Sequence, residues 1–223
     1  MRNRLLFFLI PLALLIPSCG QRTVHNQPLP SRESISKRPV HTETIVIDAG
    51  HGGKDSGSRS DTHNYEEKQL TLSTARMVRD YLQEMGYKTI LTRDDDLFVP
   101  LDDRAQIANA NNVTLFVSVH YNHCPDPSVQ GIEIFYYKDE KTERHVHSNH
   151  LGDTILSQLV WHTGAEARGI KRGKFAVIRQ TKMPAVLVEA GFLSHPKERE
   201  KIKDPMYRRF IAKGIARGVD HYI

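Results

Sequence analysis

From Thr44 onward, short runs of branched apolar residues alternate with longer stretches in which apolar positions recur at helical spacing. Thr44-Ile-Val-Ile-Asp48 and Thr114-Leu-Phe-Val-Ser-Val119 read as buried strands, as do Lys88–Thr92, Gly131–Tyr137, Phe175–Arg179 and Ala185–Val188. Between them, Leu70, Val78, Tyr81, Leu82 and Met85 fall on one helical face across 67–85, and Gly86 stands where a C-terminal cap belongs. Further helices are expected over 101–111, with Asp102 or Asp103 as the cap, over 147–163, and over 205–223. Strands alternating with helices predict a single α/β domain. Its central sheet should be twisted and mostly parallel, with helices on both faces.

Upstream of Thr44 the pattern changes. Arg2 and Arg4 precede an apolar run from Leu5 to Ile16, which ends in Ile16-Pro17-Ser18-Cys19-Gly20. The run is shorter than the roughly 20 apolar residues that a membrane span requires, and its layout is that of an export signal. Its end resembles a bacterial lipobox, which predicts lipidation of Cys19 as the mature N-terminus. Residues 20–41 are rich in Pro, Ser, Arg, Asn and Gln without apolar periodicity, and are expected to be a flexible tether. The expected organisation is therefore a signal over 1–19, a tether over 20–41 and a catalytic domain over 42–223. The expected location is the periplasmic face of a bacterial membrane, held through the anchor at Cys19.

The chain has 223 residues and a formal net charge of +5. Residues 1–41 carry six bases against one acid, which accounts for the whole excess; residues 42–223 are balanced. No basic stripe interleaved with aromatics remains, so nucleic acid is excluded as a partner. The only cysteines are Cys19 and Cys124, too few for a disulfide framework or an all-cysteine zinc site.

The candidate chemistry collects where strands end. The first runs into Asp48-Ala-Gly-His-Gly-Gly53, the third into His120-Tyr-Asn-His123, and the last into Glu189-Ala-Gly-Phe192. In open α/β sheets ligands bind outside the carboxyl ends of the strands, where His51, His120 and Glu189 would meet. Glu66 and Glu67, at the start of the first long helix, can lean into the same crevice. Two imidazoles and a carboxylate suit a catalytic zinc, and Glu189 is the expected base. The loop Gly50–Gly57 lacks the spacing of a Walker or dinucleotide motif. His145, His147 and His150 read as a solvated helix start, and His123 and Cys124 as neighbours of the site.

Four segments in order carry a family resemblance. They are Ile45-Val-Ile-Asp-Ala-Gly-His-Gly-Gly-Lys-Asp-Ser-Gly57, Glu67-Lys-Gln-Leu-Thr-Leu72, Ser118-Val-His-Tyr-Asn122 and Pro184-Ala-Val-Leu-Val-Glu-Ala-Gly-Phe-Leu-Ser194. Together they resemble the zinc-dependent N-acetylmuramoyl-L-alanine amidases of the amidase-3 type, from about Thr44 to Ile223. Thr92-Arg-Asp94, Leu101-Asp-Asp-Arg104 and Ala108-Asn109 resemble that family's connecting segment. The resemblance implies one zinc ion held by His51, Glu67 and His120, with Glu189 as the catalytic carboxylate. Asn122 and Arg104 would be substrate or supporting residues. Glu67 is preferred to Glu66 because it directly precedes the Lys of its motif, and His195 stands where many relatives have Asn. The implied reaction is hydrolysis of the amide between N-acetylmuramic acid and L-Ala of the stem peptide, with peptidoglycan as partner. Alternatives are a zinc peptidase acting within the stem peptide and an inactive wall-binding lipoprotein. Residues 131–179 hold one long helix and little else, so no blocking helix and no obligatory activator are expected; the protein is expected to be a monomer.

Overall fold

A computed structural model describes residues 40–60 and 62–223. The export signal, Cys19 and most of the tether lie outside the described residues. The strands are β1 (Thr44–Ala49), β2 (Arg59–Ser60), β3 (Tyr65–Glu66), β4 (Lys88–Leu91), β5 (Leu115–Asn122), β6 (Ile132–Tyr136), β7 (Ala167–Arg172) and β8 (Ala185–Phe192). The helices are α1 (Glu67–Met85), α2 (Leu101–Ala110), α3 (Arg144–Thr163), α4 (Ala176–Gln180), α5 (Pro196–Lys203) and α6 (Pro205–Tyr222). Six strands form one sheet in the order β4-β1-β5-β8-β6-β7, while β2 and β3 make a separate small hairpin. The first four strands of that order are parallel; β6 and β7 are parallel to each other and run against β8. The expected α/β domain with a mostly parallel sheet is what the chain builds.

Both faces of the sheet are covered, as continuous apolar strands require. Ile45, Ile47, Leu115, Val117, Val186 and Val188 pack beneath α1, α3 and α6. Their alternating neighbours Val46, Phe116, Ala185 and Leu187 pack against Ala108 of α2 and against Val177 and Ile178 of α4. Gly86 closes α1 in the left-handed conformation (φ 100°), its N–H bonded to the Gln83 carbonyl.

The strand expected over 175–179 is instead the helix α4. A short apolar run does not separate strand from buried helix by periodicity alone. Here the adjacent residues Val177 and Ile178 are both buried against one sheet face. A strand would send them to opposite sides. The edge strand β7 was not expected, because its sequence Ala-Arg-Gly-Ile-Lys-Arg carries three cations and a glycine. Pro100, rather than Asp102 or Asp103, occupies the cap position of α2; the two aspartates sit in its first turn, where they face the positive helix end.

Candidate metal centre and active site

Parallel pairing of β1, β5 and β8 places three strand ends side by side. Asp48 is in register with Ser118, and His120 with Glu189. Side chains of register partners point to the same face, so the sheet itself sets the His120 imidazole next to the Glu189 carboxylate. His51 arrives one turn beyond β1, in the left-handed conformation (φ 62°). Gly50 must be a glycine: a Cβ there would lie 2.2 Å from His120 Cε1.

Glu67, first residue of α1, closes the group. Its Oε1 lies 3.1 Å from His51 Nε2 and 3.2 Å from His120 Nδ1, and accepts the Tyr121 N–H at 3.1 Å. Its Oε2 accepts the Ser58 N–H at 2.9 Å. One donor atom from each of His51, Glu67 and His120 lies within 4.8 Å of the others, a group able to hold a single metal ion. Glu66 does not take part: its carboxylate faces Lys68 Nζ at 3.6 Å and accepts from Gln69.

Burial by itself would raise the Glu67 carboxyl. Hydrogen bonds from His120 and His51 outweigh it and hold Glu67 well below the usual carboxylate range. His51 shows the complement. Desolvation would lower it, but hydrogen bonding to Glu67 and to Asp55 pushes it up to about 9. Asp55 Oδ2 sits 2.9 Å from His51 Nδ1, which leaves Nε2 turned to Glu67.

Glu189 is the odd carboxylate. It is 9% exposed, and its Oε2 is buried without a hydrogen-bond partner among the described residues. Desolvation, reinforced by the charge of Glu67, pushes it up to about 7. It lines a cavity of about 610 Å³ together with His51, Glu67, His120 and Asn122. Asn122 Nδ2 donates to Glu133 Oε2 at 3.3 Å while its Oδ1 accepts the His123 N–H at 2.7 Å, so the amide is held from both ends.

Behind the site, Arg104 is 2% exposed and does not reach the cavity. It donates to Asp48 Oδ1 at 2.9 Å, to the Ala49 carbonyl at 2.7 Å and to the His51 carbonyl at 2.6 Å. Arg93 donates to the Ala49 and Gly50 carbonyls and, across to α1, to the Lys68 carbonyl. Two guanidinium groups thus fix the loop that carries His51.

The family model of the N-acetylmuramoyl-L-alanine amidases, Amidase_3, matches residues 45–221. The chain belongs to this family. The amidase is 36% identical over 184 residues to the uncharacterized protein YqiI of Bacillus subtilis, covering 82% of this chain and 86% of that protein. It is 32% identical over 198 residues to the probable cell wall amidase LytH of Staphylococcus epidermidis, covering 88% of this chain but only 64% of LytH. Among solved structures, the N-acetylmuramoyl-L-alanine amidase of Clostridium difficile 630 superposes with a TM-score of 0.76 at 36% identity, covering 81% of this chain and 96% of that one.

In the amidase the four residues expected at the centre do come together, and Asn122 lines the same cavity. Arg104 is near but buried behind the loop. Asp55, Arg93 and Glu133 escaped sequence reasoning. Asp55 was visible inside the Gly-Lys-Asp-Ser-Gly run, but its bond to His51 depends on a tight bridge between Gly52 and Asp55. His195 caps α5 through Nδ1, which accepts the Glu198 N–H at 3.2 Å, as an Asn side chain at a helix start can do.

The raised His51 value has a sign. Its folded pKa of about 9 lies above the ordinary 6.5, so the His51–Glu67 interaction stabilises the metal-free fold fully below pH 6.5 and is lost as pH rises through 9. A metal needs the neutral imidazole, so its affinity should rise over the same window by up to tenfold per pH unit. Competition titration with a chelating dye between pH 6.5 and 9 checks this; a flat profile contradicts it.

Proposed function

We propose that the amidase cleaves the amide between the lactyl group of N-acetylmuramic acid and the first L-Ala of the stem peptide. One zinc ion would be held by His51, Glu67 and His120, and Glu189 would move the proton. The observation that carries this reading is the lone buried Oε2 of Glu189 beside the His120 and Glu67 donors. Two imidazole nitrogens and one carboxylate oxygen are the donor set of catalytic zinc, which leaves coordination positions open. When bound, zinc polarises the scissile carbonyl and acidifies water.

The remaining work falls to the chain. Glu189 Oε2 takes a proton from the attacking water and returns it to the departing amine nitrogen of L-Ala. A carboxyl pushed up to about 7 can do both near neutral pH, and a cation held by the neighbouring donors would draw it lower. Asp55 holds His51 in the tautomer that turns Nε2 inward. Glu133 and the His123 N–H orient Asn122, whose second Nδ2 hydrogen has no partner among the described residues and would meet a substrate oxygen. Arg104 keeps the His51 loop in place and touches no substrate.

The same reading needs no activator. Of the residues lining the cavity, only Phe175 comes from the stretch between β6 and β8, so α3, β7 and α4 leave the donors accessible. The digestion of purified peptidoglycan by the zinc-loaded protein alone should release stem peptides with a new L-Ala amine, read by mass spectrometry. Glu189→Ala should lower the rate roughly 10²–10⁴-fold. Cleavage within the stem peptide would support the peptidase instead, and no product in either sample would support an inactive wall-binding protein.

Similarity to a probable cell wall amidase supports a location at the cell wall. The Arg2–Cys19 segment adds a membrane address: residues 1–19 as a lipoprotein signal, 20–41 as tether, and 42–223 as a monomeric catalytic domain. Lipid on Cys19 would hold the enzyme beside its polymer. Cys19→Ser should move the protein from the membrane to the soluble fraction; unchanged membrane association counts against the anchor.

A further inference from the structure

Next to the catalytic cavity lies a second one, of about 290 Å³, and the two share Arg59 and His123. Three segments build it. The β2–β3 hairpin brings Arg59 and His63, the loop after β5 brings His123, and the chain after β8 brings Ser194 and Arg199. The hairpin is fastened to the body of the protein. Lys203 Nζ donates to the His63 carbonyl at 3.0 Å, and Ser58 Oγ lies 3.3 Å from His123 Nδ1.

The lining carries two guanidinium groups and no carboxylate among the described residues. Arg199 is the telling one. It is 8% exposed, and its Nη1 donates to the Leu193 carbonyl at 3.2 Å, yet its buried Nε has no hydrogen-bond partner. The carboxylate of Glu200, on a largely exposed side chain, stays at 3.7 Å from that Nε. That Nε is sealed from solvent, so a ligand in the cavity meets Arg199 only at the part of the side chain that lines it. Arg59 makes no ion pair among the described residues, although it stands at the junction of the two cavities.

We propose that this second cavity binds a carboxylate in the peptide part of the substrate through Arg59 and Arg199, while the scissile amide lies at Glu189. The proposal rests on the amidase reading and extends it from the bond cut to the group recognised beside it. An arginine pair suits this task because the planar fork matches the two oxygens of a carboxylate. The continuity of the cavities lets one peptide reach from the reacting carbonyl into the cationic pocket. The muramic sugar would then occupy the part of the catalytic cavity away from Arg59.

Two synthetic substrates test it with the full-length, zinc-loaded protein: N-acetylmuramoyl-L-alanyl-D-glutamate, and the same compound with its carboxylates converted to amides. The wild type should prefer the acid by about tenfold in kcat/KM, the size expected of one charge-assisted contact. Arg59→Gln and Arg199→Gln should each bring the preference to within about twofold. Arg199 is buried, so its variant can fail to fold; Arg59→Gln, on the exposed hairpin, then decides. Equal rates on both compounds in the wild type, or a preference that survives Arg59→Gln, overturn the subsite and leave the amidase reading intact. No cleavage of either compound contradicts the amidase reading, and calorimetry then decides the subsite with L-alanyl-D-glutamate and its amide. Tighter binding of the acid that depends on Arg59 supports it, and equal binding overturns it.

Discussion

One carboxylate oxygen, Oε1 of Glu67, stands within hydrogen-bond distance of two imidazoles and a backbone N–H at the mouth of the sheet. Glu67 is 4% exposed, and a buried anion of this kind persists only where several donors compensate for lost water. Those donors come from three separate parts of the chain: the loop after β1, the end of β5 and the turn before the hairpin. The carboxylate therefore does two things at once. It pins the three segments together, and it concentrates negative charge where a cation can replace the protons on the imidazoles. Glu189, one strand away, feels the same charge and is also desolvated, and its buried Oε2 has no donor among the described residues.

What keeps the His51 loop from relaxing is a second layer behind it. Asp48, 1% exposed at the end of β1, accepts from Arg104, Thr92 and Ser118. Burial would raise its carboxyl, and the Arg104 guanidinium with the two hydroxyls holds it low. Removing either partner of this pair would leave an uncompensated buried charge, a change that typically costs about 3–5 kcal/mol. Arg104 and Arg93 spend their remaining donors on loop carbonyls, so charge pairing in the core becomes positional precision for His51.

How far this was legible in the sequence follows from how each residue is placed. His51 lies just beyond the end of β1, while His120 and Glu189 lie inside β5 and β8, at the places where the continuous apolar run of a buried strand gives way to polar residues, which the sequence pattern shows. Choosing between Glu66 and Glu67 is harder, because a one-residue step at a helix start reverses the side-chain direction. Glu66 keeps extended backbone (φ −128°, ψ 130°), and Glu67 is the first helical residue. Here only the order of residues in the family motif pointed to Glu67. Asp55, Arg93 and Glu133 act across loops or from a strand far away in sequence, where no periodicity signals a contact. Residues 175–179 depart from the expected strand for the opposite reason. Their composition suits a strand, but one sheet face needed two adjacent apolar side chains, and packing overrode propensity.

Metal stoichiometry separates the group that holds a cation from the group that moves a proton. Purified wild type, Glu67→Gln and Glu189→Gln proteins, each loaded with zinc and desalted, can be compared by inductively coupled plasma mass spectrometry alongside turnover of peptidoglycan. One zinc per chain is expected in the wild type and in Glu189→Gln, the latter without turnover, and well under one in Glu67→Gln. Full zinc occupancy in Glu67→Gln, or loss of zinc together with activity in Glu189→Gln, would contradict the division of labour between these two carboxylates.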